Sequence, residues 1–244
     1  TNLRVAVATG SLEILGRVKR PTPSNATSAE ITDAVLRAVD DACDDAGCEP
    51  SAVVAAGIGS VGPFDYDAGT IEEPSNIPGV ERPIDLVDPL RERLGVETVV
   101  LDNDAVCGVI AEAAFAEPTP ENVVYLTVST GIGAGVIVDG RVLSGRNVAE
   151  VGHVTLDPAG TMRCGCGRDG HWEAYAGGAN VPAYARTLAD AASIETALPI
   201  ETGAVTTEEI FDALGDDPLA DRVVDELGRW NTLGVANVVQ AFAP

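Results

Sequence analysis

Pro118-Thr119-Pro120 interrupts the chain near its middle, and similar elements are written on both sides of it. Proline removes a backbone donor and biases the residue before it toward extended backbone, so this segment ends whatever regular structure precedes it. Before the break, Leu3 to Thr9 and Ile14 to Lys19 are apolar runs joined through Gly10 and Ser11, which predicts a hairpin. After it, Val123 to Ser129, Gly133 to Asp139 and Arg141 to Leu143 predict a strand, a glycine-rich turn and a second hairpin. An antiparallel hairpin opening each half implies two α/β domains, 1–117 and 118–244, with an interdomain cleft where small ligands bind.

Within the halves the periodicity changes from strand to helix. Ser28 precedes an amphipathic stretch with Ile31, Val35, Leu36 and Val39 at helical spacing, Glu30 in its first turn and a stop near Gly47. Val53 to Ile58 reads as a short strand leading into the Gly59 to Pro63 turn. Val99 to Leu101 reads as another, running into Asp102, Asn103 and Asp104, with a helix over Ala105 to Phe115. Further helices are expected over Pro182 to Ala191, Thr207 to Leu214 and Pro218 to Gln240.

Charge excludes whole classes of function. The 244 residues carry 15 Lys and Arg against 38 Asp and Glu, a net charge of −23, so there is no cationic face for nucleic acid. Lys19 is the only lysine, and the acids are dispersed rather than gathered in a tail. Such a surface repels itself unless concentrated salt screens it, which points to a halophilic source. No apolar run approaches the roughly 18 residues needed to span a bilayer, and no basic start leads into a cleavable apolar stretch, so no membrane partner and a cytoplasmic location are expected. Five cysteines, an odd number, fit a reducing compartment better than a disulfide framework.

The most specific cluster is His153, Cys164, Cys166 and His171, which takes in both histidines of the chain. Thiolate and imidazole are the ligands of tetrahedral structural Zn2+ sites, and Gly165 and Gly167 allow the tight backbone such a site needs. Cys43, Cys48 and Cys107 lie on apolar helix faces or helix ends and read as inert core residues. Leu126 to Gly135, L-T-V-S-T-G-I-G-A-G, reads either as a phosphate cradle of backbone amides or as an ordinary glycine turn in a hairpin. Asn103-Asp104 reads either as a helix cap or as a carboxylate that takes a proton from a hydroxyl substrate. Glu150 and Glu173 bracket the His/Cys cluster and are either solvated acids or part of a site with it.

Taken in order, S-N-I-P-G at Ser75 to Gly79, N-D at Asn103 and Asp104, S-T-G-I-G at Ser129 to Gly133, E-V-G-H at Glu150 to His153 and C-G-C-G-R-D-G-H-W-E at Cys164 to Glu173 resemble the ROK family of repressors, open reading frames and kinases. The resemblance implies an actin-like ATPase (ribonuclease H-like) fold. It also implies ATP-dependent phosphorylation of a hexose, most directly glucose, with ATP, Mg2+ and structural Zn2+ as cofactors and a homodimer as the assembly. Asp104 would be the catalytic base. Asn76, Asn103, Asp104, Glu150, His153 and Glu173 would hold the sugar, and Thr130, Gly131 and Gly133 would approach the ATP phosphates. The zinc would orient His153.

The chain departs from the family pattern at His171, where a third cysteine is usual, and at Val106, where asparagine is frequent. The family's first phosphate loop would end about where Thr1 begins, and its adenosine-binding segment would follow Pro244. A sugar-sensing regulator, or a sugar-binding protein without turnover, is the alternative within the same family. A regulator would need a basic DNA-facing surface that this chain lacks.

Overall fold

A computed structural model describes residues 2–72, 79–145, 148–200 and 203–244. The chain forms two compact units, Thr1–Cys107 and Gly108–Pro244.

The first unit opens with β1 (Asn2–Ala8) and β2 (Ile14–Pro21), antiparallel with Val5 opposite Val18. α1 (Ser28–Ala46) follows. It starts because Thr27 and Glu30 form a reciprocal capping box, so the cap is Thr27 and Ser28 is the first helical residue. Ser28 instead donates its hydroxyl to the Pro83 carbonyl at 2.7 Å. The helix ends at Gly47, whose φ of 69° is left-handed. Its buried face, Ile31, Ala38, Val39, Ala42 and Cys43, lies over the sheets. Gly16 on β2 permits the close approach, since a Cβ there would stand 2.4 Å from the Ala46 nitrogen.

A 3-10 turn over Pro50–Ala52 delays β3 to Ala56–Ser60, three residues later than the apolar run suggests. Then come β4 (Phe64–Asp65), β5 (Thr70–Ile71) and β6 (Ile84–Asp85), a small antiparallel sheet, and α2 (Val87–Leu94), which buries Val87, Leu90 and Leu94. β7 (Val99–Asn103) runs parallel to β3, with Ser60 opposite Asn103. Two-residue strands are too short to show a period, which is why the small sheet escaped sequence reading.

α3 (Asp104–Phe115) begins in the first unit and finishes in the second. In the second unit β8 (Val123–Val128), β9 (Ile132–Val138) and β10 (Arg141–Val142) form an antiparallel sheet in the order β10-β9-β8. Val109 and Ala113 of α3 pack with Ile137, Val123 and Tyr125 of that sheet. The two compact units meet at Cys107/Gly108, inside α3, and the part of the helix that follows packs onto the sheet of the second unit.

A 3-10 turn over Val151–His153 precedes α4 (Trp172–Ala176), α5 (Val181–Ala192), α6 (Thr207–Asp212) and α7 (Pro218–Phe242). α7 starts cleanly because Asp217 accepts from the Leu219 and Ala220 amides while Pro218 occupies the first helical position. Trp172, Tyr175, Val136, Ile210, Leu219 and Val223 centre the core of this unit. Among the described residues no helix is long and apolar enough to cross a membrane.

Candidate active site

Asp104 stands where β7 passes into α3, with its side chain exposed. The parallel pairing of β7 with β3 sets the height at which the strand ends, and Gly59 of β3 leaves room for Cys107 on the first turn of α3, with Cys107 Sγ 3.1 Å from where a Cβ would lie. Asn103 Oδ1 and Asp104 Oδ1 both accept from the Ala105 amide, each at 2.9 Å. Helix capping and a solvent-facing carboxylate therefore coexist here: Asn103 caps, and the second Asp104 oxygen is left out of that cap. Asp102, named in the sequence with no role assigned, accepts from the Asn103 amide at 2.8 Å and from the Tyr66 hydroxyl at 3.3 Å, bracing the same strand end. Asn76 lies outside the described residues.

In the second unit His153, Cys164, Cys166 and His171 come together, with one donor atom from each within 4.8 Å of the others. Backbone chemistry explains how. The carbonyl of Cys164 accepts from Gly167 at 2.9 Å, the Cys164 amide donates to Arg168 at 2.8 Å, and Gly167 adopts φ 88°. The second left-handed glycine of the loop is Gly170 at φ 76°, not Gly165; a Cβ on Gly170 would stand 2.0 Å from the Asp157 carbonyl. Cys166 Sγ lies 3.3 Å from His171 Nδ1, and the two imidazoles stand 5.3 Å apart between centroids. Two thiols and two imidazoles converging in this way suit a tetrahedral zinc ion, whose ligand atoms stand about 3.3–3.8 Å apart, so a small closure would complete the site.

The electrostatics of the cluster follow from burial and neighbours. Glu173 beside His153 raises its pKa above the ordinary histidine value, against the opposing pull of burial, with Cys166 and Glu150 adding to the rise. Burial and the neighbouring His153 lower that of His171. Burial pushes the Cys164 thiol up to about 11. A cation would remove that proton on binding.

Glu150 and Glu173 are not equivalent. Glu150 is largely exposed, with Oε2 3.8 Å from His153 Nδ1. Glu173 is half-buried; its Oε1 is 3.8 Å from His153 Nε2 and 3.9 Å from Cys164 Sγ, while its Oε2 accepts from the Ile132 amide at 2.7 Å. Its pKa is lowered: burial opposes ionisation, but His153 and the Ile132 amide together outweigh it. Glu173 is aimed by its neighbours in α4. Trp172 is fully buried and packs where Gly234 of α7 leaves no side chain, donating its indole N–H to Asn231 at 3.0 Å. Tyr175 stacks on Trp230 at 4.2 Å. With those two rings turned into the core, Glu173 faces the β8–β9 turn.

That turn holds Thr130 and Gly131 and leads to Gly133 on β9. The Ser129 amide donates to the Gly131 carbonyl at 2.9 Å, and the Gly178 and Ala179 amides donate to the Ser129 and Thr130 carbonyls at 2.7 and 2.9 Å. The strap through Gly178 was not recognised from sequence, though the Gly177-Gly178 pair is its visible mark. Of the proposed cradle, the Ile132 amide is already committed to Glu173.

Comparison with known proteins shows what this chain is similar to. The chain is 36% identical over 195 residues to a glucokinase of Pyrobaculum calidifontis, an alignment that covers 78% of this chain and 60% of that protein's length. The structure of a ROK hexokinase from Thermus thermophilus superposes with a TM-score of 0.78 at 35% identity, covering 100% of this chain and 76% of that one. That of a ROK family glucokinase from Streptomyces griseus, in complex with glucose and AMPPNP, superposes with a TM-score of 0.72 at 32% identity, covering 100% of this chain and 78% of that one. The fold is thus α/β of the actin-like ATPase type. With the ROK family model matching residues 1–244 as well, the chain belongs to the ROK family.

Proposed function

We propose that this chain belongs to an ATP-dependent hexose kinase that converts glucose to glucose 6-phosphate, with Asp104 as the general base. The observation that carries the reading is the exposed Asp104 carboxylate at the end of β7, in a chain whose full length superposes on a glucokinase crystallised with glucose and AMPPNP. Asp104 accepts the proton of a sugar hydroxyl as that oxygen attacks the terminal phosphorus of ATP in line. Asn103 holds the strand end through its cap and, with Asn76, takes sugar hydroxyls. Glu150, His153 and Glu173 present acceptors and a donor to the remaining hydroxyls. Thr130, Gly131 and Gly133 offer backbone at which a phosphate can approach without meeting a bulky side chain. Mg2+ bound with ATP would supply charge neutralisation for the transferring group.

His153, Cys164, Cys166 and His171 fit Zn2+, and such an ion would lock the ring orientation of His153. We further propose a homodimer in a reducing, cytoplasmic setting, where five free thiols persist. A salt-rich one suits the net charge of −23. We infer no role for nucleic acid or membrane. A coupled assay of the intact protein in molar KCl tests the reading: ADP formation should depend on glucose, and its absence with every hexose tried would overturn it.

A further inference from the structure

The two oxygens of Glu173 serve different neighbours. Oε1 faces the His/Cys cluster, 3.8 Å from His153 Nε2 and 3.9 Å from Cys164 Sγ, and Oε2 accepts from the Ile132 amide at 2.7 Å. A carboxylate needed only for a sugar hydroxyl has no reason to press against the β8–β9 turn, yet a Cβ at Gly131 would lie 2.5 Å from Oε2. Nor can the side chain easily swing away. Gly177 packs against its stem, where a Cβ would be 2.8 Å from Glu173 Cγ, and its own carbonyl accepts from the Gly177 amide at 2.9 Å and from Asn180 Nδ2 at 3.0 Å. The segment that carries His153 meets the same residue from another side: a Cβ on Gly152 would stand 2.3 Å from the Ile132 carbonyl. Ile132 thus donates its amide to the residue that faces Cys164, and its carbonyl is closely approached by the residue that precedes His153.

We propose that Glu173 is a positioning residue that couples the His153–Cys164–Cys166–His171 cluster to the turn over residues 129–132, so that the state of the cluster sets how that turn receives the phosphates of ATP. The proposal rests on the kinase reading above and adds a nucleotide-side role to a residue otherwise given only to the sugar. Its physical basis is the charge-assisted bond from Ile132, stronger than a neutral one, and the close approach of Glu173 Oε2 to Gly131, which leaves no room for a side chain there. A cation held by the cluster would fix Cys164 and His153, and through them the Oε1 side of the same carboxylate.

The test measures the affinity of the intact protein for Mg2+–AMPPNP by calorimetry without sugar, alongside amide hydrogen exchange at Ile132 without ligand. Glu173→Ala should weaken AMPPNP roughly tenfold, the lower end of what loss of such a supporting contact does, and speed exchange at Ile132. Glu173→Gln, whose amide oxygen still accepts from Ile132, should recover most of both. Gly131→Ala should weaken binding in the wild-type background and add little to Glu173→Ala, because the atom it displaces is then gone. Stripping metal with a chelator should weaken AMPPNP in the wild type and leave Glu173→Ala unchanged. Wild-type AMPPNP affinity in Glu173→Ala, or a chelator effect undiminished in that variant, would overturn the coupling while leaving the kinase reading standing. A wild type that binds no AMPPNP at all would remove both. Should Glu173→Ala fail to fold, Glu173→Gln and Gly131→Ala carry the same comparison: equal AMPPNP affinity in Gly131→Ala and wild type overturns the proposal.

Discussion

The two units both begin with an antiparallel hairpin, but they hold their chemistry by different means. In the first, β1 and β3 alternate between exposed and half-buried positions and have no fully buried residue, and the buried side chains gather in separate clusters around Ile84 and around Cys43. In the second, β9 buries Ile132, Ala134, Val136 and Ile137; a large core of 22 buried residues runs from the first three through Trp172 to Val223 of α7, and a small cluster gathers Ile137 with α3. Asp104 is accordingly placed by backbone register and capping, whereas Glu173 and His171 are placed by side-chain packing. A strand end is a cheap way to present one carboxylate to solvent; aligning two thiols, two imidazoles and a fifth polar side chain requires a rigid core beneath them.

The largest effect that sharpens this contrast is removal of salt. At molar salt the screening length is about 3 Å, and dilution lets the dispersed acids repel one another. We expect unfolding, with the first unit losing amide protection in α1 and β3 before α4 and α7 do. Protection lost first in α4 and α7 would reverse the comparison, and a melting temperature independent of salt would reject the halophilic reading.

Next in size is Asp104→Asn. The amide keeps the shape of the cap but cannot accept a proton, so turnover should fall on the order of a hundredfold while glucose binding stays close to wild type. Turnover near wild type would reduce Asp104 to a helix cap.

Cys164→Ala probes the second unit at its cluster. Glucose affinity should fall by about 10 to 100-fold without any direct contact to sugar having been removed, and chelation of the wild type should do the same. His171→Cys should retain metal and glucose affinity, because thiolate is as good a ligand. Metal content by mass spectrometry and glucose titration check both; undiminished glucose affinity after complete metal loss would detach the cluster from the site.

The smallest effect lies under the cluster loop. Asp157 accepts from the Tyr175 hydroxyl and from the Thr161 and Ala159 amides, and these bonds hold its pKa well below the usual carboxylate range. A carboxyl whose folded pKa is depressed adds stability above its unfolded value of about 3.9 and loses it as pH falls toward the folded value. Asp157→Asn should therefore cost about 1–3 kcal/mol at neutral pH, by chemical denaturation at constant salt, and the gap from wild type should shrink below about pH 4. A gap that does not change with pH would assign the loss to packing alone.

Much of this molecule was legible in local patterns. The hairpin of Leu3 and Ile14, the long helix ending at Gly47, the strand running into Asn103-Asp104 and the closing helix from Pro218 are all where hydrophobic period, capping residues and glycine or proline punctuation put them. The His/Cys cluster was also readable, because histidine and cysteine are rare enough here that their gathering between His153 and His171 is itself the signal. The three short strands were not, because two residues carry no period, and α2 was missed although Val87, Leu90 and Leu94 lie on one face.

What the sequence by itself determined is therefore the run of elements and the chemical identity of the groups proposed to act: the Asp104 carboxylate, two thiols, two imidazoles and a glycine turn. Only the tertiary structure decided that α3 passes from one unit to the other, since that depends on Val109 and Ala113 finding the sheet at Ile137. Only it decided that Glu173 accepts from Ile132 rather than standing in solvent like Glu150. That depends on Trp172 meeting Gly234 and Asn231, and on Glu173 reaching a strand 41 residues earlier in the chain. Period and capping report interactions within a turn or two of the backbone. Which side chain is pressed against which distant turn is set by non-local packing, and no local pattern carries it.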